Sequence, residues 1–317
     1  MHRSPPTPRR RRAILVAMAA ALVMGGCGGD GDGDGGGGAG TATTRQDDRP
    51  IEDRLGFDLA GIQQRQTRVE NLIRDCMKRQ GFDYTPVDPA AQRAALVGSA
   101  TLTEEDFEKQ FGYGITTLYR QRRREAASGP NAEYRRSLPA NQREAFDRAL
   151  YGRNVGADFA TAVDTGDFAD LGGCTKEATD QVFGGAETLS TLQAKLDELD
   201  ARIEADPRMV DANKKWSDCM RKAGYPNLDH PDEVDTVLED KLEDIVGPDI
   251  RFGVGAPEPA YDERALAALQ REEVAMVKAD LECEEEHIEE VEEPVRKEYE
   301  RTFAEENADF LRTVPGA

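Results

Sequence analysis

The sequence predicts an all-α architecture: two similar, disulfide-stapled helical halves behind a disordered Gly/Asp-rich tether. Apolar residues recur at the three-and-four spacing of helix faces, and no alternating run longer than a few residues argues for a strand. Charged residues make up 32% of the 317 and aromatic ones 6%, a balance that favours long solvated helices over a thick sheet core. A pattern around a cysteine occurs twice, which predicts related halves. The organisation that follows is a signal segment at residues 1–26, a tether at 27–56, a first helical half at 57–187 and a second at 188–317.

The amino terminus carries five arginines, Arg3 and Arg9 to Arg12, and no acid. An apolar run from Ala13 to Met24 follows and closes on Gly25-Gly26-Cys27. A basic region, a short apolar core and small residues before a cleavage point make a secretory signal. The run is shorter than the roughly 20 residues a permanent membrane helix needs, so removal is expected. Val23-Met24-Gly25-Gly26-Cys27 resembles the lipobox of bacterial lipoproteins, with Met24 where that family usually has leucine. The resemblance implies that Cys27 is the lipid-bearing first residue of the mature chain. Arg11-Arg12-Ala13-Ile14-Leu15 also resembles a weak twin-arginine signal, which leaves the export route open between the two systems. Two acyl chains, each methylene contributing about 0.8 kcal/mol, hold a protein on a membrane where one chain holds it marginally. The expected location is therefore the outer face of the cell membrane, with the membrane as partner through the lipid at Cys27.

Gly28 to Gly40 is almost wholly glycine and aspartate, with no apolar surface to bury and much backbone entropy to lose on ordering. It reads as a flexible tether. Asp30, Asp32, Asp34 and Gly35 imitate the opening of a calcium loop, but the twelfth position is Thr41 instead of a bidentate glutamate, so no metal is expected there. Removing the five signal arginines from 41 basic residues leaves 36 against 62 acids, a net charge of −26. That surface repels phosphate backbones, excluding nucleic acid and leaving a cationic or wall-polymer ligand open.

Four cysteines remain after Cys27: Cys76, Cys174, Cys219 and Cys283. An even number on an exported chain predicts disulfides, with three possible pairings, and no C-x-x-C pair supports zinc. Asp75-Cys76-Met77-Lys78-Arg79-Gln80-Gly81-Phe82 recurs as Asp218-Cys219-Met220-Arg221-Lys222-Ala223-Gly224-Tyr225. In each copy, apolar residues at helical spacing lead in, two basic residues suit the last helical turn, and the glycine suits a left-handed C′ position. A weaker echo links Ala169-Asp170-Leu171-Gly172-Gly173-Cys174 with Ala279-Asp280-Leu281-Glu282-Cys283. If the halves are duplicates, each holds one cysteine of each kind, so Cys76 pairs with Cys174 and Cys219 with Cys283. Each bridge then staples its own half. The paired C-M-x-x-x-G-[FY] motifs behind a lipobox resemble a group of exported actinobacterial lipoproteins of uncharacterised function. That resemblance implies the cellular address and brings no activity, cofactor or catalytic residue.

Further helices follow from periodicity. Leu189, Leu192, Leu196, Leu199 and Ile203 form a narrow seam that expects another helix. Asp206-Pro207 caps and starts the next one. Leu266, Leu269, Val274, Val277, Leu281, Ile288 and Val291 mark a long helix ending or kinking at Pro294, with a short terminal helix over Val295 to Phe310. Asp88-Pro89 and Thr103 to Asp106 read as two more helix starts.

No catalytic residue emerges. Glu284 and His287 have the E-x-x-H spacing of di-iron bundles, but the mature chain's only other histidine, His230, stands in Asp229-His230-Pro231-Asp232, so no second pair completes a metal site. The eight glutamates between Glu282 and Glu293 read as a solvated face, partly offset by Glu292/Arg296 and Glu293/Lys297 pairs. Ser137, Ser190 and Ser217 fall at helix boundaries or surfaces, outside any nucleophile motif. Phe111-Gly112-Tyr113-Gly114-Ile115 reads as a glycine bend after a helix, with a ligand groove as the rival reading. No cofactor is expected. The function expected is a non-enzymatic binding or interaction module; the alternative is a carboxylate-dependent hydrolase of envelope polymers, which two buried acids in a deep pocket would favour.

Overall fold

The computed structural model describes residues 50–56, 59–88, 104–159, 162, 168–247, 253–255 and 261–315. Cys27, the signal segment, the Gly/Asp-rich stretch and the residues after Asp88 that would continue the proposed Asp88-Pro89 helix lie outside them. Every regular element among the described residues is helical.

In chain order these are α1 (Ile51–Arg54), α2 (Leu59–Arg79), α3 (Glu104–Phe111), α4 (Ile115–Ser128), α5 (Pro130–Ser137) and α6 (Ala140–Tyr151). A 3₁₀ turn at Phe168–Asp170 leads to α7 (Gly173–Phe183), α8 (Ala186–Glu204), α9 (Pro207–Lys222) and α10 (Glu233–Val246). The chain closes with α11 (Glu263–His287), α12 (Glu289–Glu306) and α13 (Ala308–Leu311).

The duplicated motif is duplicated in geometry. Phe82 N donates to Met77 O (3.0 Å) and Gly81 N to Lys78 O (3.1 Å) at the end of α2; Tyr225 N donates to Met220 O (2.9 Å) and Gly224 N to Arg221 O (3.2 Å) at the end of α9. Both are Schellman motifs, which use up orphan helix carbonyls. Gly81 at φ +85 and Gly224 at φ +103 supply the left-handed residue each needs. Cys76 and Cys174 are bonded, with Cα atoms 5.6 Å apart, as are Cys219 and Cys283 at 5.8 Å. The weaker echo has no such counterpart. Cys174 lies in the first turn of α7, whereas Cys283 lies in the last turns of α11, so the pairing holds although one of its two supports was a resemblance of letters.

α7 packs along α2 and α6, and the α8 seam from Leu189 to Ile203 is buried against α12. α9 and α10 cover α11. The first half also reaches across: α3 and α4 pack on α11, and one apolar core runs from Ile51 to Val314. Ile51 and Leu55, placed in the tether by sequence, are buried one helical turn apart, and Ile51 N donates to Glu300 Oε2 on α12 (3.2 Å). Their i, i+4 spacing gives α1 an apolar edge that Gly28 to Gly40 lacks.

The long carboxyl-terminal helix breaks earlier than expected. α11 ends at His287, Ile288 (φ −106, ψ −54) forms the joint, and Pro294 lies inside α12. Burial of Ile288 places the bend, and Pro294 costs only the partner of the Glu290 carbonyl. The inward face of α11 is also turned from the one expected. Leu266, Leu269, Glu273, Met276, Val277, Asp280 and Cys283 are buried, while Val274 and Leu281 are half-buried.

Candidate functional site

The two acids on the inner face of α11 are ties within the fold. Glu273 is fully buried and accepts from Ile115 N (2.7 Å), Thr116 N (3.1 Å) and the Thr116 hydroxyl (2.6 Å). It therefore caps α4, bringing a carboxylate to a helix start whose first amides lack intrahelical acceptors. Burial raises its pKa, opposed by those hydrogen bonds. Asp280, also fully buried, accepts from Trp216 Nε1 (2.8 Å) and from the Tyr113 hydroxyl. Gly112 (φ +67) makes room: a Cβ there would stand 2.6 Å from Glu273 Cγ. Phe111 to Ile115 is thus a bend closed onto α11.

A polar groove of about 460 Å³ lies on the exposed side of α9. Val210, Asn213, Lys214, Ser217, Asp218 and Arg221 line it at the spacing of a single helix face. Glu204, at the end of α8, and Asp229-His230, in the loop after α9, form the opposite wall. The short α8–α9 connection is fixed by the Asp206 cap, which accepts from Arg208 N (2.8 Å) and from the Arg208 guanidinium; those bonds hold the Asp206 carboxyl well below the usual range.

The groove's polar groups are held in place by bonds within the protein. Glu204 Oε2 accepts from Asn213 Nδ2 (2.7 Å) and lies 2.6 Å from His230 Nε2. Asp232 N donates to His230 Nδ1 (3.2 Å), so Nε2 carries the proton toward Glu204 in the neutral ring. Ser217, expected at a helix surface, is buried and donates to Leu228 O (2.7 Å), so its hydroxyl is engaged in closing the loop. Asp218 pairs with Arg221 at 2.6 Å. Val210, 56% exposed, is the large apolar side chain most open to solvent among the described residues.

The remaining sequence candidates separate. Cys76, Cys174, Cys219 and Cys283 are all consumed in disulfides. Donor atoms of Cys219, Glu286 and His287 lie within 4.8 Å of one another, but the Cys219 sulfur is bonded to Cys283 and offers no thiolate. Ser137 and Ser190 are exposed. The Glu292/Arg296 and Glu293/Lys297 pairs form at 2.9 and 2.7 Å, and Arg296 also reaches Asp200 on α8 (3.2 Å).

Sequence reasoning missed the groove. His230 was visible only as a loop residue, and its partner Glu204 stands 26 residues earlier. It also missed Glu70 on α2, whose Oε2 accepts from the Tyr84 hydroxyl (3.0 Å) and Val87 N (2.8 Å). Burial is the main cause raising its carboxyl to about 7, with Asp158 adding to the shift. No helix among the described residues is long and apolar enough to cross a membrane. No family model matches the chain, and neither the curated proteins nor the solved structures contain a match.

Proposed function

We propose that this is an exported lipoprotein, anchored by a diacylglycerol at Cys27 to the outer face of the cell membrane, that works as a non-enzymatic binding module. The observation that carries the reading is the pair of disulfides across 98 and 64 residues. Bridges of that kind form and persist in oxidising compartments, the destination of a signal such as residues 1–26. The groove beside α9 is the binding surface this reading uses, facing a cationic or wall-polymer ligand or a neighbouring envelope protein. Glu273 and Asp280 are fully buried and engaged as ties, Glu273 to the start of α4 and Asp280 to Trp216 and Tyr113, which weighs against catalysis by paired buried acids. Labelling with a fatty-acid analogue tests the anchor: wild type takes up label and Cys27→Ala does not. Label persisting on the variant removes Cys27 as the anchor.

One observation favours the alternative, a carboxylate-dependent hydrolase of envelope polymers. Glu70 is half-buried with its carboxyl raised to about 7, mainly by burial, a range in which a carboxylic acid can donate a proton near neutral pH. Loss of polymer cleavage in Glu70→Gln, with stability no lower than that of wild type, supports that reading. No cleavage by the wild type removes it.

A further inference from the structure

We propose that reduction of the Cys219–Cys283 bridge opens a zinc site made of Cys219 on α9 and Cys283, Glu286 and His287 on α11. Neither the groove beside α9 nor the anchor at Cys27 enters into it.

Helix geometry assembles the donors. Cys283, Glu286 and His287 stand at i, i+3 and i+4 in the last turns of α11, so they share one face. Cys219 meets them from the last turn of α9 and is bonded to Cys283. The Cys219 sulfur, a Glu286 carboxylate oxygen and a His287 ring nitrogen all lie within 4.8 Å of one another. Thiolate, imidazole and carboxylate are the ligand types zinc takes, and here two helices bring them together. The polar contact of the His287 ring among the described residues is with Glu286, at 3.6 Å, too long for a hydrogen bond. Solvent reaches the cluster, since Glu286 is exposed and Cys219 is half-buried.

The disulfide itself keeps a metal out, because the thiolate is the ligand. A dithiol reductant removes that block. One of its thiolates attacks the half-buried Cys219 sulfur, the S–S bond breaks, and the electron pair leaves on Cys283. The reductant's second thiol then displaces Cys219 and closes the reductant's own disulfide, and its two protons pass to the two protein sulfurs. Zinc binding to the pair releases those protons to solvent. Tetrahedral zinc, with bonds of about 2.0–2.3 Å, sets its donors roughly 3.3–3.8 Å apart, so the cluster closes by at most about 1.5 Å while the freed sulfurs separate.

The other bridge lacks these partners. Cys76 and Cys174 are both buried, and the carboxylate beside them, Glu177, 3.4 Å from the Cys76 sulfur, is paired with Arg79. A guanidinium there repels a metal ion, and the mature chain's other histidine, His230, is held by Glu204 in the groove. Around Cys219 the charge runs the other way: eight glutamates between Glu282 and Glu293 draw a dication to the end of α11.

The test is zinc titration of the full chain against a chromogenic chelator, before and after reduction with a phosphine, which does not compete as a thiol would. Reduced protein is expected to take up one zinc per chain, and oxidised protein none at comparable affinity. Cobalt in place of zinc should give the thiolate-to-metal absorption of a four-coordinate site. His287→Ala removes a ring that makes no hydrogen bond, so helicity by circular dichroism should hold while zinc binds about tenfold or more weakly to the reduced chain. Cys283→Ser frees Cys219 without any reductant and leaves Cys76–Cys174 closed; it should bind zinc under oxidising conditions, more weakly than reduced wild type does. Equal zinc affinity before and after reduction, no zinc on either reduced wild type or Cys283→Ser, or an affinity that His287→Ala does not move overturns the site.

Discussion

At the scale of single residues, buried acids decide how this molecule is tied. Asp280 is the acceptor for two donors from different elements, Trp216 on α9 and Tyr113 in the bend before α4. Asp280→Ala leaves the fully buried indole N–H without a partner, and a loss of roughly 2–4 kcal/mol is expected. Tyr113→Phe, which removes one donor and leaves the other bond, should cost about 1–2 kcal/mol. Urea unfolding followed by the fluorescence of Trp216, the chain's one tryptophan, measures both. Equal losses would mean that the indole bond contributes nothing. Glu70 gives a pH signature of the opposite sign to the usual acid. Its folded pKa of about 7 lies above the ordinary 4.5, so the stability linked to its protonated form is fully present below about pH 4.5 and is lost as pH rises through 7. Acids held low, such as Asp211 beside Lys215 and Asp218 beside Arg221, contribute stability above their unfolded pKa that fades as pH falls. The difference between wild type and Glu70→Gln isolates the first effect: the variant should gain on wild type between pH 5 and 7.5. A constant difference across that range would show that Glu70 does not titrate there.

At the scale of elements, two kinds of glycine separate cleanly. Gly224 needs its left-handed conformation, but a Cβ there meets nothing within 4 Å, so Gly224→Ala should cost about 1 kcal/mol of backbone strain. Gly112 carries the same strain and would also drive a Cβ into Glu273, displacing the carboxylate that caps α4. Gly112→Ala should therefore lose at least about 2 kcal/mol more, read by thermal or urea unfolding of the two variants side by side. Equal costs would place the Glu273 cap elsewhere. The same two sites show what sequence can reveal. The C-M-x-x-x-G-[FY] ends were legible because a helix end is written within eight consecutive residues, with basic residues, cysteine and glycine at fixed offsets. The α8 seam was legible because its apolar residues alternate three and four apart. The inner face of α11 was not, since Glu273 and Asp280 occupy core positions only because Ile115, Thr116, Tyr113 and Trp216 bring donors from 64 to 167 residues away. The groove stayed hidden for the same reason: Glu204 and His230 meet only once the Asp206 cap has turned α9 back beside α8.

At the scale of the whole molecule, each disulfide closes a long loop, and chain-entropy estimates for loops of 98 and 64 residues are about 4–5 kcal/mol each. That approaches the whole stability of a small domain. The effect of the Cys219–Cys283 bridge is expected to reach beyond its own half, because α11 carries Cys283, the cap of α4 and the tie to Tyr113. Changing Cys219 and Cys283 to serine together should speed amide exchange in α9 and α11 and also in α3 and α4, while α2 and α7 stay protected by Cys76–Cys174. Exchange confined to residues 189–291 would show two independent halves. The proposed molecule is a lipid-bearing amino terminus joined to a disulfide-stapled helical body, and the unreduced intact mass of the protein taken from its own membrane tests that union most directly. The expected mass is that of a chain beginning at Cys27, heavier by the lipid and lighter by the four hydrogens lost to two disulfides. A mass that retains residues 1–26, or one with an unmodified Cys27 and four free thiols, would contradict it.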